Sequence, residues 1–303
     1  MIYKPQYLDL FKSGELLKRV EEAEKIYQNC VICPHNCYVN RKEEVGFCKA
    51  KTQAIVASYG PHFGEERVLV GTNGSGTIFF SFCNLRCIFC QNYDLSHYGR
   101  GREVSDESLA EMMLALQKRY RCHNVNLVTP THFVPNILRA LYIAVKKGFS
   151  LPLVYNCGGY ESLATLKLLA GVIDIYMPDF KYLDSNLSLK YSKVKDYPEI
   201  VKMAIKEMDY QVGGLMVDAK NIAYRGLLIR HLMLPGALAD TKNILNFIKN
   251  ELSVDVYLNL MDQYYPAYQA FSDKDLNRRL SYEEYQEGYK HAKKLNLRLD
   301  KQI

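Results

Sequence analysis

Apolar residues recur at two spacings along the chain, and the alternation between them predicts its architecture. Residues 16–27 place Leu17, Val20, Ala23 and Tyr27 on one helical face. The Gly- and Asn-rich stretch 71–76 then punctuates the chain ahead of a first clear strand over 76–82. Ser105 is positioned to cap a helix with Asp106 and Glu107 in its first turn and Leu109, Met112, Met113 and Leu116 as its buried stripe. Short β-type runs follow at 125–129, 151–155, 172–177, 227–234 and 254–260. Between them lie helical stretches at 136–147, 162–170 and 185–214, a helix capped by Asp240, and a last one opened by the capping box Ser281/Glu284 with Tyr285, Tyr289 and Ala292 inward. Strands alternating with helices define an α/β chain with a parallel sheet or barrel. Counted from Gly76 there are about six such units, short of the eight of a closed barrel.

Composition narrows this picture without redirecting it. With 303 residues, 48% hydrophobic and 24% charged, the chain has the make-up of a soluble globular protein and not of a disordered one. A net charge of +6 without a Lys/Arg block calls for neither a nucleic acid nor a membrane as partner. Lys4, Asp9 and Lys12 interrupt the opening residues, so no signal-peptide core is expected there, and a cytoplasmic location follows. The expected organisation is a helix and cysteine-rich cap over 1–73 and a catalytic unit over 74–303.

Nine cysteines in an intracellular chain of this length read as metal ligands before disulfides, and seven of them cluster. Cys83, Cys87 and Cys90 form a C-x3-C-x2-C loop directly after the 76–82 strand. Three thiolates can hold three irons of a 4Fe-4S cubane and leave the fourth without a protein ligand. An open coordination position is the mark of a chemical rather than a structural metal site. A zinc knuckle or a set of buried thiols is the competing reading of the same spacing. Nearer the start, Cys30, Cys33, Cys37 and Cys48, the last reached through Gly46, can make a closed four-sulfur site for zinc or an iron-sulfur cluster, with a structural or electron-relay role. His35 beside Pro34 is expected at the surface. Cys122 is expected to behave as an ordinary thiol.

The cysteine loop resembles that of the radical S-adenosylmethionine (SAM) superfamily, C-x3-C-x-aromatic-C, with Phe89 in the aromatic place. The resemblance runs from about Gly74 to the end and is nearest to pyruvate formate-lyase activating enzymes and their relatives. It implies a partial (β/α)6 TIM-like barrel with a small N-terminal cysteine-rich cap. It also implies a 4Fe-4S cluster whose open iron is chelated by SAM, reductive cleavage to a 5'-deoxyadenosyl radical, and hydrogen abstraction. A one-electron reductant such as flavodoxin or ferredoxin would be a partner, and an activase would have a protein substrate on which it forms a glycyl radical. Modification of a small molecule or peptide is the alternative, and a non-enzymatic zinc scaffold is the reading from another class.

Residue by residue, Met177, Asp179 and Lys181 match the strand-end motif whose Asp and Lys lie beside SAM and whose Asp and Met carbonyl help bind a monovalent cation. The spacing independently puts Asp179 and Lys181 on one side of the strand end. Asn156, Cys157 and Gly158 correspond to a turn after the third strand, with Asn156 standing where the family has its cation-binding Asp. Arg230 matches the arginine near the SAM ribose or carboxylate, with His231 next to it. The departure is at the second strand, where Thr129, Thr131 and His132 replace the Gly-Gly-Glu that binds the SAM amino group. The aromatic run 260–268 is placed to close over the mouth as a lid.

Overall fold

In the computed structural model, which describes residues 3–253 and 255–300, ten strands join one sheet. They are β1 (Ala54–His62), β2 (Ser75–Phe80), β3 (Arg102–Val104), β4 (Val125–Val128), β5 (Leu153–Cys157), β6 (Ile175–Pro178), β7 (Met216–Val217), β8 (Ala223–Leu232), β9 (Tyr257–Met261) and β10 (Arg298–Leu299). The sheet order is β10-β9-β8-β6-β5-β4-β2-β1-β3, with β7 beside β8. From β2 through β10 all neighbours on this path are parallel and lie in chain order, whereas β1 pairs antiparallel with β2 and β3. The two ends of the path do not meet, so the barrel is open. Each of β2, β4, β5, β6, β8 and β9 is followed by helix, which gives the six-unit partial barrel expected of the sequence.

Local chemistry sets the helix starts. Ser105 accepts the Ser108 N–H, Ser162 that of Thr165, and Ser281 with Glu284 forms a complete capping box. Leu109, Met112, Met113 and Leu116 are all buried, as their spacing required. Asp240 is a correction. It lies in the first turn of the Leu238–Glu251 helix, whose cap position is Ala237, and its carboxylate accepts the Leu183 N–H at 3.0 Å. The 185–214 stretch divides into Ser185–Ser192 and Tyr197–Val212, because Lys193 turns left-handed at φ +64° and ends the first helix. Val254, included in the expected last strand, lies outside the described residues; that strand begins at Tyr257. The N-terminal helix Glu15–Lys25 buries Leu16, Val20 and Ala23, one residue round from the expected Leu17 face.

The nine-residue β1 was not foreseen. Its burial is irregular, it holds Gly60-Pro61, and a register shift interrupts its pairing with β2, so no two-residue alternation marks it in the sequence. Residue 73 falls in the connection between β1 and β2, which means that the cysteine-rich region and the barrel are joined through one hairpin. Arg41 adds a second tie. This buried guanidinium donates to the carbonyls of Ala50, Lys51 and His132, binding the 30–51 segment to the loop after β4.

Two cores result. The larger lies between strands and outer helices. The smaller, Val68, Leu69, Val154, Ile175, Met177, Leu215, Ala223, Leu228 and Tyr257, fills the inside of the barrel. Val154, Leu228 and Ile175 share their strand faces with Asn156, Arg230 and Met177 two residues on. Val68 and Leu69, from the short helix Arg67–Val70, plug this interior and make the floor on which the site stands. Among the described residues no helix is long and apolar enough to cross a membrane.

Candidate active site

The carboxyl ends of the parallel strands enclose a void of about 700 Å³, counting its open mouth. Cys83, Cys87 and Cys90 line it together with Thr129, Asn156, Cys157, Gly158, Asp179, Lys181 and Arg230. Ten positions from one cysteine loop and four strand ends thus face a single space, at the end of the barrel where such enzymes keep their chemistry.

The cysteine loop is held from several sides. Phe82, just before Cys83, sits at φ +70°, a left-handed conformation that costs an aromatic residue energy and turns the chain sharply off β2. The Phe82 N–H donates to Leu95 O, Ile88 N–H to Tyr191 O, and the Leu85 N–H points at Cys83 Sγ from 3.3 Å. Ser192 Oγ lies 3.0 Å from Cys87 Sγ and Ser96 Oγ 3.1 Å from Cys90 Sγ. Burial pushes the Cys83 and Cys87 thiols up, and Lys181 opposes that shift for both. Phe89 does not line the void. Its ring is buried edge-to-face among Tyr182, Tyr191 and Tyr264, where it pins the loop to the barrel.

A charged chain lines the same void. Lys181 Nζ is 2.7 Å from Asp179 Oδ2, Arg230 Nε donates to Asp179 Oδ1 at 2.9 Å, and Arg230 Nη2 donates to Asn156 Oδ1 at 2.9 Å. Burial alone would raise the Asp179 carboxyl, but Arg230 and Lys181 hold it at about 2. Lys181 keeps its proton against the same burial because Asp179 and Cys87 face it. The Arg230 guanidinium therefore occupies the place between Asp179 and Asn156. Met177 does not reach the void; its side chain belongs to the apolar floor.

Several side chains behave differently from their sequence expectation. Thr129 lines the void with φ +55°, a strained conformation for a β-branched residue, and its N–H donates to Asn156 O. Thr131 and His132 turn away from it. Thr131 Oγ1 donates to Glu161 at 2.7 Å, and His132 is a buried ring, lowered to about 3 by desolvation, whose Nε2–H donates to Ser81 O. His231 is likewise structural: Nδ1–H donates to Phe180 O and Nε2 accepts from Thr241, and burial lowers it to about 4. His35 is half-buried rather than on the surface, stacked on Phe47 at 3.8 Å with Nε2 2.8 Å from Asn84 O. Arg86 lies over the Phe47 ring at 5.0 Å and donates to Phe47 O, so residues next to Cys48 and Cys87 touch. The 260–268 run packs on the cysteine loop, with Tyr264 against Phe89 and Tyr268 stacked on Tyr93.

A model of the radical SAM superfamily matches residues 77–212. The chain belongs to the radical SAM superfamily. The uncharacterized protein MJ0674 of Methanocaldococcus jannaschii is 36% identical over 304 residues, covering 98% of this chain and 81% of that protein. A second uncharacterized protein of that organism, MJ0808, is 24% identical over 272 residues, covering 81% and 74%. A radical SAM methyltransferase from Sphaerobacter thermophilus superposes with a TM-score of 0.53 at 13% identity, covering 82% of this chain and 76% of that one, which shows the shared fold.

Superfamily membership implies a 4Fe-4S cluster and SAM, and the donor set fits them. Among the described residues no group of three or more His, Cys, Asp or Glu side chains is arranged to hold a single metal ion. A cubane takes three thiolates on three different irons, and Cys83, Cys87 and Cys90 line one void. In the cap, Cys30, Cys33 and Cys48 are buried, and Cys37 packs on Gly46, where an added Cβ would lie 2.7 Å from Cys37 Sγ. Burial raises the Cys33 and Cys48 thiols, and the other cysteines of the group add to both shifts.

Two residues escaped the sequence reading. Glu161 carries a buried carboxyl behind Cys157 that accepts from Thr131 and from Tyr155 OH. Tyr197 OH lies within 3.0 Å of Lys181 N, Gly158 O and Asp179 O, knitting two strand-end loops together. Neither sits in a motif; each reaches the site from a separate loop or helix.

Proposed function

We propose that the chain is an iron-sulfur enzyme that cleaves SAM reductively, with Cys83, Cys87 and Cys90 as the cluster ligands. The observation that carries this is that the three cysteines and the Lys181–Asp179–Arg230–Asn156 chain line one void. Bound together, cluster and SAM supply a 5'-deoxyadenosyl radical that abstracts hydrogen from substrate. Lys181 offsets thiolate charge next to Cys87, Ser192 and Ser96 offer hydroxyls to two sulfurs, and Gly158 leaves backbone open to a ligand. Arg230 between Asp179 and Asn156 supplies the positive charge that a monovalent cation supplies where an Asp replaces Asn156. Thr129 and Asn156 are the polar contacts for SAM, and Cys157 the apolar one.

The cap over residues 1–73 is proposed as a second metal site built by Cys30, Cys33, Cys37 and Cys48, holding zinc or an iron-sulfur cluster. His35, Phe47 and Arg86 join it to the catalytic loop. The electron comes from flavodoxin or ferredoxin in the cytoplasm. An activase and an enzyme modifying a small molecule or peptide share all of this and part at the substrate. A glycyl-radical EPR signal on a co-purified partner identifies the first; label moving from a deuterated metabolite or peptide into 5'-deoxyadenosine identifies the second. The test of the common step is anaerobic reconstitution followed by iron and zinc analysis and SAM cleavage. About four irons per chain, or about eight with a second cluster, with cleavage abolished in Cys87→Ala, is the expected result. Zinc alone, or cleavage that survives in Cys87→Ala, refutes it.

A further inference from the structure

The floor plug carries more than apolar side chains. Directly before the Arg67–Val70 helix, Glu65 and Glu66 bring two carboxylates into the barrel, with side-chain exposure of 7% for Glu65 and residue exposure of 6% for Glu66. Glu66 Oε1 accepts from Asn259 Nδ2 at 3.0 Å, while its Oε2 is buried without a hydrogen-bond partner. Asn126 is fully buried, and neither its Nδ2 nor its Oδ1 has a partner. It shares the inner face of β4 with Val128, which lines the catalytic void. Asn259 lies in register with Arg230, another lining residue. The unpartnered atoms therefore stand below the SAM-side wall, on the same inner surface.

Buried polar atoms left without partners cost about 1–3 kcal/mol each, so the two acceptors Glu66 Oε2 and Asn126 Oδ1 on one inner surface call for a donor. Charge says which. Glu65, Glu66 and Asp179 are three acids facing the two cations Arg230 and Lys181, before the half-exposed His62, whose Nδ1 is 3.4 Å from Glu65 Oε1, is counted. Asp179 takes both cations in direct contact, and Arg230 also donates to Asn156. Burial raises the Glu65 carboxyl, and Arg230, His62 and the Asn126 amide each oppose that shift. A group with N–H donors and a positive charge supplies the hydrogen bonds that Glu66 Oε2 and Asn126 Oδ1 lack and balances the surplus acid, while the Asn126 Nδ2 donor is left to Glu65.

We infer that Glu65, Glu66 and Asn126 form the substrate-recognition end of the barrel and bind a protonated amine, which sets the target carbon of the same molecule toward the cysteine side. The assignment of that amine to the substrate rests on the SAM-cleaving function proposed above. The amine belongs to a lysine side chain in a peptide or to a free small molecule, and the probes separate these sources.

The test is isothermal titration of the reconstituted full chain, under anaerobic conditions with SAM, using n-butylammonium chloride, with n-butanol and n-butyrate as controls. Butylammonium is expected to bind saturably and the controls not to, with affinity at least tenfold weaker in Glu66→Gln. Glu65→Gln provides the same comparison if Glu66→Gln does not fold. Tighter binding of Nα-acetyl-lysine methylamide than of butylammonium assigns a peptide side chain, and the reverse order assigns a free amine. Butylammonium binding no better than butanol, or binding unchanged in the folded variants, overturns the inference. SAM cleavage by the wild-type chain is followed in parallel. Its absence with amine binding intact overturns the radical function alone, and cleavage without amine binding overturns the amine site alone.

Discussion

Replacing Glu161 by Gln removes a buried ionisable group while keeping its shape, with the amide oxygen accepting from one of the two hydroxyls and the Nε2 amide donating to the other. The carboxyl is 2% exposed, has only the Thr131 and Tyr155 hydroxyls and the Cys157 thiol as hydrogen-bond partners, and is raised from 4.5 to about 7 by desolvation. Below pH 4.5 the group is protonated in folded and unfolded chains alike. Between pH 4.5 and 7 the unfolded chain loses the proton and the folded one keeps it, so stability falls as pH rises through that window and levels off above it. The shift from 4.5 to about 7 is 2.5 pH units, and at 1.36 kcal/mol per unit the loss is about 3 kcal/mol. The Gln variant has no proton to keep and escapes that loss. Asp174, also raised to about 7, titrates in both proteins and cancels in their difference. Urea unfolding of the reduced apo chain at pH 4.5, 6 and 7.5 measures the effect. Relative to Glu161→Gln, wild type should lose about 3 kcal/mol across the series. Parallel stabilities, differing by less than about 1 kcal/mol between the pH extremes, would show that water reaches Glu161 and that its burial behind Cys157 is wrong.

Other perturbations have equally defined outcomes. Asp179→Asn leaves Arg230 and Lys181, each about one-fifth exposed, without their carboxylate; thermal unfolding should report a loss of about 3 kcal/mol, and SAM binding should weaken with it. Arg41→Met strips the carbonyls of buried Ala50 and His132, and that of Lys51, of their donor and should cost about 3 kcal/mol, with hydrogen exchange rising first in the 30–51 segment and the loop after β4. Tyr197→Phe removes the hydroxyl shared by Lys181, Gly158 and Asp179; at about 1 kcal/mol for a hydrogen bond, the SAM Kd should rise about fivefold to tenfold while cluster content stays at the wild-type level.

Local sequence determined much of this protein. The six strand–helix units, the serine caps and the C-x3-C-x2-C loop after the first parallel strand are all written in short stretches, because periodicity, caps and ligand spacing act over a few residues. Asp179 and Lys181, two apart at a strand end, were legible for the same reason, and so was Arg230 by its motif. Tertiary structure alone decided the rest. Nothing near Arg230 in sequence says that its guanidinium lies between Asp179 and Asn156, 51 and 74 residues away. Thr131 and His132, read only as polar groups standing where the family has Gly-Gly-Glu, are turned to Glu161 and Ser81, since only the folded loop fixes which way a side chain points after a strand ends. The β1 strand and the Glu65–Glu66 plug were unreadable for a related reason. An antiparallel edge strand with irregular burial carries no period, and acids next to a short helix look like solvated surface until the barrel closes around them.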